Sequence, residues 1–257
     1  MLQTLACQRE TLRLARFVAL VLVLIAATAP SRAATLDLMF VMDEAGGLSS
    51  ADFFLQKSFV RSVADGVAVD VPFGADGLRS GAVAYGSSAR RPVSLTGDAS
   101  IFDNGVASIL QAGGARCVSC ALDEARSHLA GAGRSSAPDV IVLLLSGLSN
   151  VGTDRFAGAV ASAKAAGIGL IAVGVGNADP VQVNAVASSP NDALFVSSWS
   201  AASGIQDDVV ERILVRVPEP IPEPATLGLL AGGLLLLTGI AAHRRRSNRR
   251  DLTAASP

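Results

Sequence analysis

The sequence predicts an α/β domain with a mostly parallel central sheet and helices on both faces, flanked by two terminal segments. Short apolar runs such as Val140 to Leu145 (VIVLLL) are typical of strands whose two faces are both covered. Segments whose apolar side chains recur at helical spacing separate these runs along the chain. Two further apolar runs, one at each end, differ in length and flanking charge and are interpreted separately.

The alternation covers residues 35–214 and predicts a Rossmann-like order of elements. Strands are predicted at 36–42, 78–85, 91–95, 140–145, 168–175 and 193–196. The short strand at 91–95 is expected to pair antiparallel to its neighbour. Helices are predicted at 50–66, 118–130, 157–166, 180–188 and 201–214. In the first helix, one apolar side is expected to consist of Phe53, Phe54, Phe59, Val60 and Val63.

Residues 1–33 have the order of a secretory signal peptide. Basic residues come first, and the apolar stretch 17–27 (FVALVLVLIAA) follows them. This stretch is shorter than the roughly 20 residues that a membrane span requires. Ser31-Arg32-Ala33 then supplies small residues for cleavage. An uncleaved N-terminal anchor is the alternative interpretation.

The other end combines a linker, an apolar helix and a basic tail. Residues 215–224 are rich in proline, which favours an extended linker, and end in the motif Pro222-Glu223-Pro224. Residues 225–242 contain no charged side chain and are predicted to form a transmembrane helix. Residues 243–257 form a basic tail, expected in the cytoplasm under the positive-inside rule, that includes Arg244, Arg245 and Arg246.

This arrangement resembles the PEP-CTERM sorting signal, because the motif directly precedes a Gly/Leu-rich span and an arginine cluster. The resemblance implies a Gram-negative host, secretion machinery and recognition by an exosortase-type membrane protease. It also implies that the domain first lies on the periplasmic side of the inner membrane. After processing, the domain would reach the cell surface or the extracellular matrix, where an exopolysaccharide is one expected ligand and an unknown protein another.

The charge of the central segment, residues 35–216, argues against a nucleic-acid partner. The whole chain has a formal net charge of −1, but residues 35–216 contain 12 Lys and Arg against 18 Asp and Glu, a net charge of −6. A nucleic-acid-binding domain needs a basic face, so no nucleic-acid partner is expected.

Five segments of the body agree in order and spacing with one family. They read DLMFVMDEAGGLSS, LQKSFVRSVADG, LRSGAVAYGSSARRPVSL, GGARCVSCALDEA and VIVLLLSGLSN. Together they resemble the von Willebrand factor type A (vWA) domain across nearly all of residues 35–214. The resemblance implies a binding or adhesion module rather than an enzyme.

In this family, a metal-ion-dependent adhesion site forms where the strands end at one edge of the sheet. Of its five usual ligand positions, this chain retains the first aspartate as Asp43. The other four positions are occupied by Ala45, Gly47, Arg116 and Ser146. Mg²⁺ or another divalent ion is therefore disfavoured, and no cofactor is expected. Our hypothesis is that Arg116 occupies the vacated site and pairs with Asp43; the alternative is that Arg116 points to solvent.

Other candidate chemistry is sparse. Cys117 and Cys120 form a C-x-x-C pair that either closes a disulfide or remains as two thiols. His128 has no nucleophile at a recognisable spacing, so no catalytic residues are assigned. The alternatives to an adhesion module are an envelope redox protein that uses the two cysteines and a structural matrix protein without a specific ligand.

Overall fold

The computed structural model describes residues 34–151 and 153–218, which belong to a single compact unit. The predicted signal peptide, sorting motif, transmembrane helix and basic tail lie outside these residues and stay predictions. Within the described part of the chain, no helix combines the length and apolar character needed to cross a bilayer.

Six strands form one central sheet in the order β3-β2-β1-β4-β5-β6. The strands are β1 Leu36–Asp43, β2 Leu78–Tyr85, β3 Ala89–Thr96, β4 Asp139–Leu145, β5 Gly169–Val175 and β6 Ala193–Val196. Strand β3 pairs antiparallel with β2, and every other pair is parallel. The parallel strands therefore all end at one edge of the sheet, here called the carboxyl edge, and all begin at the opposite, amino edge.

Six α-helices cover the two faces of this sheet. They are α1 Ser50–Asp70, α2 Ala99–Ala107, α3 Val118–Ala132, α4 Thr153–Ala165, α5 Pro180–Val186 and α6 Gln206–Leu214. Two short 3-10 helices, Pro190–Asp192 and Trp199–Ile205, precede β6 and α6. Buried side chains from α1, α2 and α6 pack on one face, and those from α3, α4 and α5 pack on the other. This arrangement confirms the predicted α/β architecture.

The pattern of β1 explains why the sheet needs cover on both faces. All eight residues of β1 are buried. Successive side chains of a strand point to opposite faces, so Leu38 and Phe40 enter one core cluster while Met39 and Val41 enter the other. A strand that is apolar at every position can be stable only where both faces exclude water.

Two helix predictions need correction. Helix α2 was missed, because only Phe102 and Val106 of its nine residues are buried, which leaves little apolar periodicity to detect. Its start is fixed by Asp98, whose side chain accepts hydrogen bonds from two backbone amides of the first turn. The helix predicted from residue 201 begins instead as the 3-10 segment Trp199–Ile205.

The apolar side of α1 and the end of the domain also differ from expectation. Phe53 is buried, but Phe54 is 65% exposed, because neighbouring helical residues project about 100° apart. Residues 215–217, which we assigned to the linker, continue as turns after α6. Val217 packs against the core cluster, and Arg216 forms an ion pair of 2.7 Å with Asp192.

Asp37 anchors the amino edge from the beginning of β1. Its fully buried carboxylate accepts hydrogen bonds from Arg79 Nε at 2.9 Å and Nη2 at 2.6 Å, and from the backbone N of Arg134 at 2.6 Å. Burial by itself raises the pKa of Asp37, but the hydrogen bonds and positive charges of the two arginines hold this pKa below its usual value. The cluster of Asp37, Arg79 and Arg134 therefore joins β1, β2 and the loop before β4.

Candidate functional site

Asp43 is buried at the carboxyl end of β1 and organises the candidate site. One carboxylate oxygen, Oδ1, accepts a hydrogen bond from the backbone N of Ala45 at 2.9 Å. The other, Oδ2, accepts from Arg116 Nε at 2.8 Å and from the backbone N of Ser146 at 3.3 Å. The ion pair between Arg116 and Asp43 that we hypothesised from the sequence is thus present.

The backbone of Arg116 is held by the loop that follows β4. The backbone N of Arg116 donates to Asn150 Oδ1 at 2.7 Å. Its carbonyl oxygen accepts from Ser149 Oγ at 3.0 Å and from the backbone N atoms of Asn150 at 3.1 Å and Val151 at 3.2 Å. These contacts fix the position from which the arginine side chain reaches Asp43.

Two glycines make room for the guanidinium group of Arg116. A Cβ atom added at Gly47 would lie 3.0 Å from Nη2, and one added at Gly147 would lie 3.0 Å from Cζ and Nη1. Such contacts are tight, so larger residues at these positions would displace the arginine side chain.

The hydroxyl group of Ser146 is occupied by a neighbour. Its Oγ accepts a hydrogen bond from the indole Nε1 of Trp199 at 3.2 Å. Nearby, the hydroxyl group of the buried Tyr85 donates to the carbonyl oxygen of Leu144 at 2.7 Å. Burial, together with the charge of Asp43, raises the pKa of Tyr85 well above its usual value, so Tyr85 stays a neutral donor.

A second buried acid lies beside Asp43. Glu44 accepts hydrogen bonds from Arg90 Nε at 3.2 Å and Nη2 at 2.5 Å. Arg90 Nη2 also donates to the carbonyl oxygen of Leu110 at 2.8 Å. Each buried carboxylate at the carboxyl edge therefore has its own arginine, which offsets the cost of removing its charge from water.

Cys117 and Cys120 form a disulfide in the first turn of α3, directly after Arg116. Of the two states considered from the sequence, the structure has the oxidised one. Cys117 is buried, and its backbone N donates to the carbonyl oxygen of Gly86 at 2.8 Å. The disulfide therefore stiffens the segment that presents Arg116.

The side chains at this edge do not suit a divalent cation. A Mg²⁺ or Ca²⁺ ion needs several oxygen ligands, whereas Ala45 and Gly47 supply no side-chain oxygen. Both oxygens of Asp43 already accept hydrogen bonds, and the group nearest to Oδ2 is a guanidinium, which repels a cation. Among residues 34–151 and 153–218, no three His, Cys, Asp or Glu side chains are grouped to hold a metal.

His128 has a packing role away from this site. Its Nε2 accepts a hydrogen bond from the backbone N of Leu95 at 3.0 Å, which ties α3 to strand β3. Burial and the nearby charge of Arg91 lower the pKa of His128, so the neutral ring that accepts this bond is favoured.

A surface cleft of about 430 Å³ lies at the amino edge of the sheet, whereas Asp43 lies at the carboxyl edge. It is lined in part by Lys164 and Arg216. Lys164 Nζ donates to two backbone carbonyl oxygens at the end of α5, and Arg216 pairs with Asp192. The cations of this cleft therefore serve the packing of the domain.

Several residues of the candidate site were not predicted from the sequence. They are Arg90, Gly147, Asn150 and Trp199. The glycine directly after Ser146 was a usable signal, because a glycine beside a ligand position allows close approach of another group. Arg90 and Trp199 reach the site from distant parts of the chain, for which local patterns give no indication. Asn150 lies in the same loop as Ser146, but its bond to Arg116 spans 34 residues, which local patterns do not indicate either.

Comparisons with known proteins agree with this architecture. The sequence model of the von Willebrand factor type A domain family matches residues 37–208. Proximal thread matrix protein 1 from the mussel byssus, in a structure with a zinc-occupied MIDAS motif, is 22% identical with a TM-score of 0.66. That alignment covers 73% of this chain and 48% of the mussel protein, so this chain spans about half the length of that relative.

Two bacterial structures are similar at lower identity. The vWF domain of the type V pili tip protein Mfa5 from Porphyromonas gingivalis is 13% identical with a TM-score of 0.60, covering 74% of this chain and 98% of that one. The pilus adhesin SpaC from Lactobacillus rhamnosus GG is 17% identical with a TM-score of 0.57, covering 70% of this chain and 31% of the adhesin. At these identities the likeness shows the fold alone.

No curated protein sequence matches the chain. The family assignment follows from the family match over 172 of the 257 residues, together with the six-stranded sheet and its covering helices. The chain belongs to the von Willebrand factor type A domain family.

Proposed function

We propose that this protein is an exported, non-enzymatic binding or adhesion module that acts at the cell surface or in the extracellular matrix without a resident metal. The observation that supports the metal-free part is the ion pair between Arg116 and Asp43, whose Nε–Oδ2 distance is 2.8 Å. Arginine keeps its positive charge at all physiological pH values, so it can replace a cation permanently.

The exported location is argued from the two ends of the sequence. The signal-peptide pattern of residues 1–33 directs the chain out of the cytoplasm. The Pro222-Glu223-Pro224 motif and the arginines that follow the apolar stretch favour sorting by an exosortase-type protease. The disulfide between Cys117 and Cys120 fits an oxidising compartment.

The adhesive role is supported by analogy with structural neighbours. One is described as a thread matrix protein, one as a pilus tip protein and one as a pilus adhesin. A shared fold does not by itself assign a shared ligand, so the role must be tested directly.

Cell fractionation tests the location. Native host cells are separated into inner membrane, cell surface and released material, and each fraction is probed with antibody against the domain. We expect the domain at the surface or in released material, with the tail removed. Complete retention in the inner membrane with an intact tail would contradict the sorting proposal.

Binding to intact host cells tests the role and its independence from metal. Purified protein is applied to host cells that lack the gene, with and without EDTA. We expect saturable binding that EDTA leaves unchanged, because the site uses a guanidinium in place of a cation. Absence of saturable binding would remove the adhesion proposal in favour of a structural matrix protein without a specific ligand.

Calorimetric titration with Mg²⁺ and Mn²⁺ tests the metal directly. We expect no saturable heat from the native protein. As a matched control, the variant Ala45→Ser/Gly47→Ser/Arg116→Thr/Ser146→Asp restores the usual ligand types of the family and should gain metal binding. Tight stoichiometric binding by the native protein would overturn the metal-free proposal.

Thiol chemistry separates the adhesion proposal from the redox alternative. The mature protein is titrated for free thiols before and after mild reduction. A disulfide that mild dithiols leave intact is expected of a structural role for Cys117 and Cys120. Rapid reduction to a low-pKa, reactive thiolate would instead favour an envelope redox protein.

A further inference from the structure

We propose that the cleft at the amino edge of the sheet binds a free α-amino acid, with the ligand's ammonium group at Asp139 and its carboxylate at Lys164 and Arg216. The cleft has a volume of about 430 Å³, which is in the range of small-molecule sites. It lies where β4 and β5 begin, at the edge of the sheet opposite to Asp43. The site is therefore separate from Asp43 and Arg116 and does not depend on the proposed adhesion function.

The acid of this cleft lacks a counter-charge. Oδ1 of Asp139 is buried and has no hydrogen-bonding partner among the described residues. The nearest cations, Arg79 and Arg134, both form ion pairs with Asp37 instead. Burial and the negative charge of Asp37 therefore raise the pKa of Asp139 to about 6. An ammonium group in the cleft would supply the positive charge and the donor that this carboxylate lacks.

Two cations line the same cleft. Lys164 Nζ donates to the carbonyl oxygens of Ala185 at 2.9 Å and Ala187 at 2.7 Å, which occupy two of its three N–H groups. Arg216 pairs with Asp192 through Nη2. Its Nε is buried and has no partner in the part of the chain that the structure describes. Beyond their packing contacts, the two side chains thus keep positive charge and donor capacity for a carboxylate.

The backbone brings the acid and the guanidinium group to neighbouring strands. Asp139 is the first residue of β4, and Gly169, the first residue of β5, is aligned with Val140. The side chain of Arg216 crosses Gly169 so closely that an added Cβ atom would lie 2.7 Å from Cδ and 2.9 Å from Nε. Neighbouring strands are about 4.8 Å apart. This short spacing suits an α-amino acid, whose ammonium and carboxylate groups are joined through one carbon atom.

The mixture of charges selects the class of ligand. A simple amine would pair with Asp139 but would bring a further positive charge to Lys164 and Arg216. A simple anion would be attracted by the two cations but repelled by Asp139. A divalent metal ion needs several oxygen ligands, and the cleft offers one carboxylate beside two cations. A ligand that carries both charges on a small frame satisfies each of these side chains.

The test uses the full-length protein in detergent micelles at neutral pH, labelled with ¹⁵N at glycine, so that Gly167 and Gly169 report from the cleft. The probe is L-alanine. Two related compounds each lack one charge, because N-acetyl-L-alanine has no ammonium group and L-alanine amide has no carboxylate. We expect saturable shifts of both glycine signals with L-alanine. Each related compound should bind at least about tenfold more weakly, because it loses a hydrogen bond between charged groups.

Substitutions in the cleft assign the two ends of the ligand. Asp139→Asn removes the charge that attracts the ammonium group and should weaken the binding of L-alanine at least about tenfold. Lys164→Gln can still donate to carbonyl oxygens, and it should weaken L-alanine while leaving the weaker binding of L-alanine amide unchanged. The matched control is Asp123→Asn, in α3, which should bind L-alanine as the native protein does. Thermal unfolding of each variant establishes that it is folded.

Three results would overturn the inference. They are the absence of saturable shifts of Gly167 and Gly169 with L-alanine, equal binding of L-alanine and either related compound, and native binding by the folded Asp139→Asn variant. None of these results changes the outcome of the host-cell binding experiment, which tests the proposed function separately. Loss of host-cell binding would likewise leave the amino-acid site in place.

Discussion

Asp139, the first residue of β4, has a destabilising charge that a single substitution should reveal. Its Oδ1 atom is buried without a hydrogen-bonding partner among the described residues. Burial, together with the negative charge of Asp37, raises the pKa of Asp139 from 3.8 to about 6. Arg79 and Arg134 oppose this shift but are committed to Asp37.

The sign and size of the effect follow from linkage. Because the pKa of Asp139 is higher in the folded state, its stabilising contribution is complete below pH 3.8 and is lost as the pH rises to about 6. A shift of about two pH units corresponds to at most about 3 kcal/mol. The side chain is partly exposed, so we expect Asp139→Asn to raise the free energy of unfolding by about 1–2 kcal/mol at neutral pH.

Urea unfolding measures this effect through Trp199, the single tryptophan, which is buried in the domain. The difference between variant and native protein should be largest above about pH 7 and should shrink towards about pH 4. The control is Asp123→Asn, a partly exposed acid of α3 whose charge is paired with Arg126 at 3.4 Å. A variant that is less stable at neutral pH, or a difference that does not vary with pH, would refute the reasoning.

Three further predictions use the same unfolding assay. Replacing Cys117 and Cys120 together by serine should cost about 2 kcal/mol, the chain-entropy value for so short a loop, and an unchanged midpoint would contradict this. Native protein should lose stability as the pH falls below about 6.5, because His128 is held neutral to accept from Leu95. The variant His128→Gln should lack this loss of stability at low pH. If the native protein and the variant show the same pH dependence of stability, the role assigned to His128 is wrong. Asp37→Asn should cost about 3–5 kcal/mol, because two partly buried arginines lose the fully buried charge that they share, and a loss below about 1 kcal/mol would exclude that role.

The fold was largely predictable because its central strands are continuous apolar runs in the sequence. Strand β4 is apolar at six consecutive positions, a pattern that only a sheet covered on both faces explains at this length. Helix α2 escaped prediction because it contributes only two buried side chains. Its start signal, the capping carboxylate of Asp98, stands out only after the helix is known.

The candidate site was predictable only where positions could be placed on a known pattern of segments. Asp43 and Arg116 lie 73 residues apart, and their pairing was hypothesised from the positions that the family resemblance implies for each. The pairing of Glu44 with Arg90 has no such guide. Its partners lie 46 residues apart, and many other acid and base combinations were equally compatible with the sequence. Tertiary contacts of this kind are decided by packing, which local periodicity does not contain.

Strand β1 joins the two buried ion-pair clusters, and this has a mechanical consequence. Asp37 is clamped near its first residue, and Asp43 is held at its last. The described chain begins at residue 34, two residues before β1. A pull between the carboxyl edge of the sheet and residue 34 would therefore run along β1. The parallel hydrogen bonds to β2 and β4 would then be loaded in shear, all together rather than one at a time.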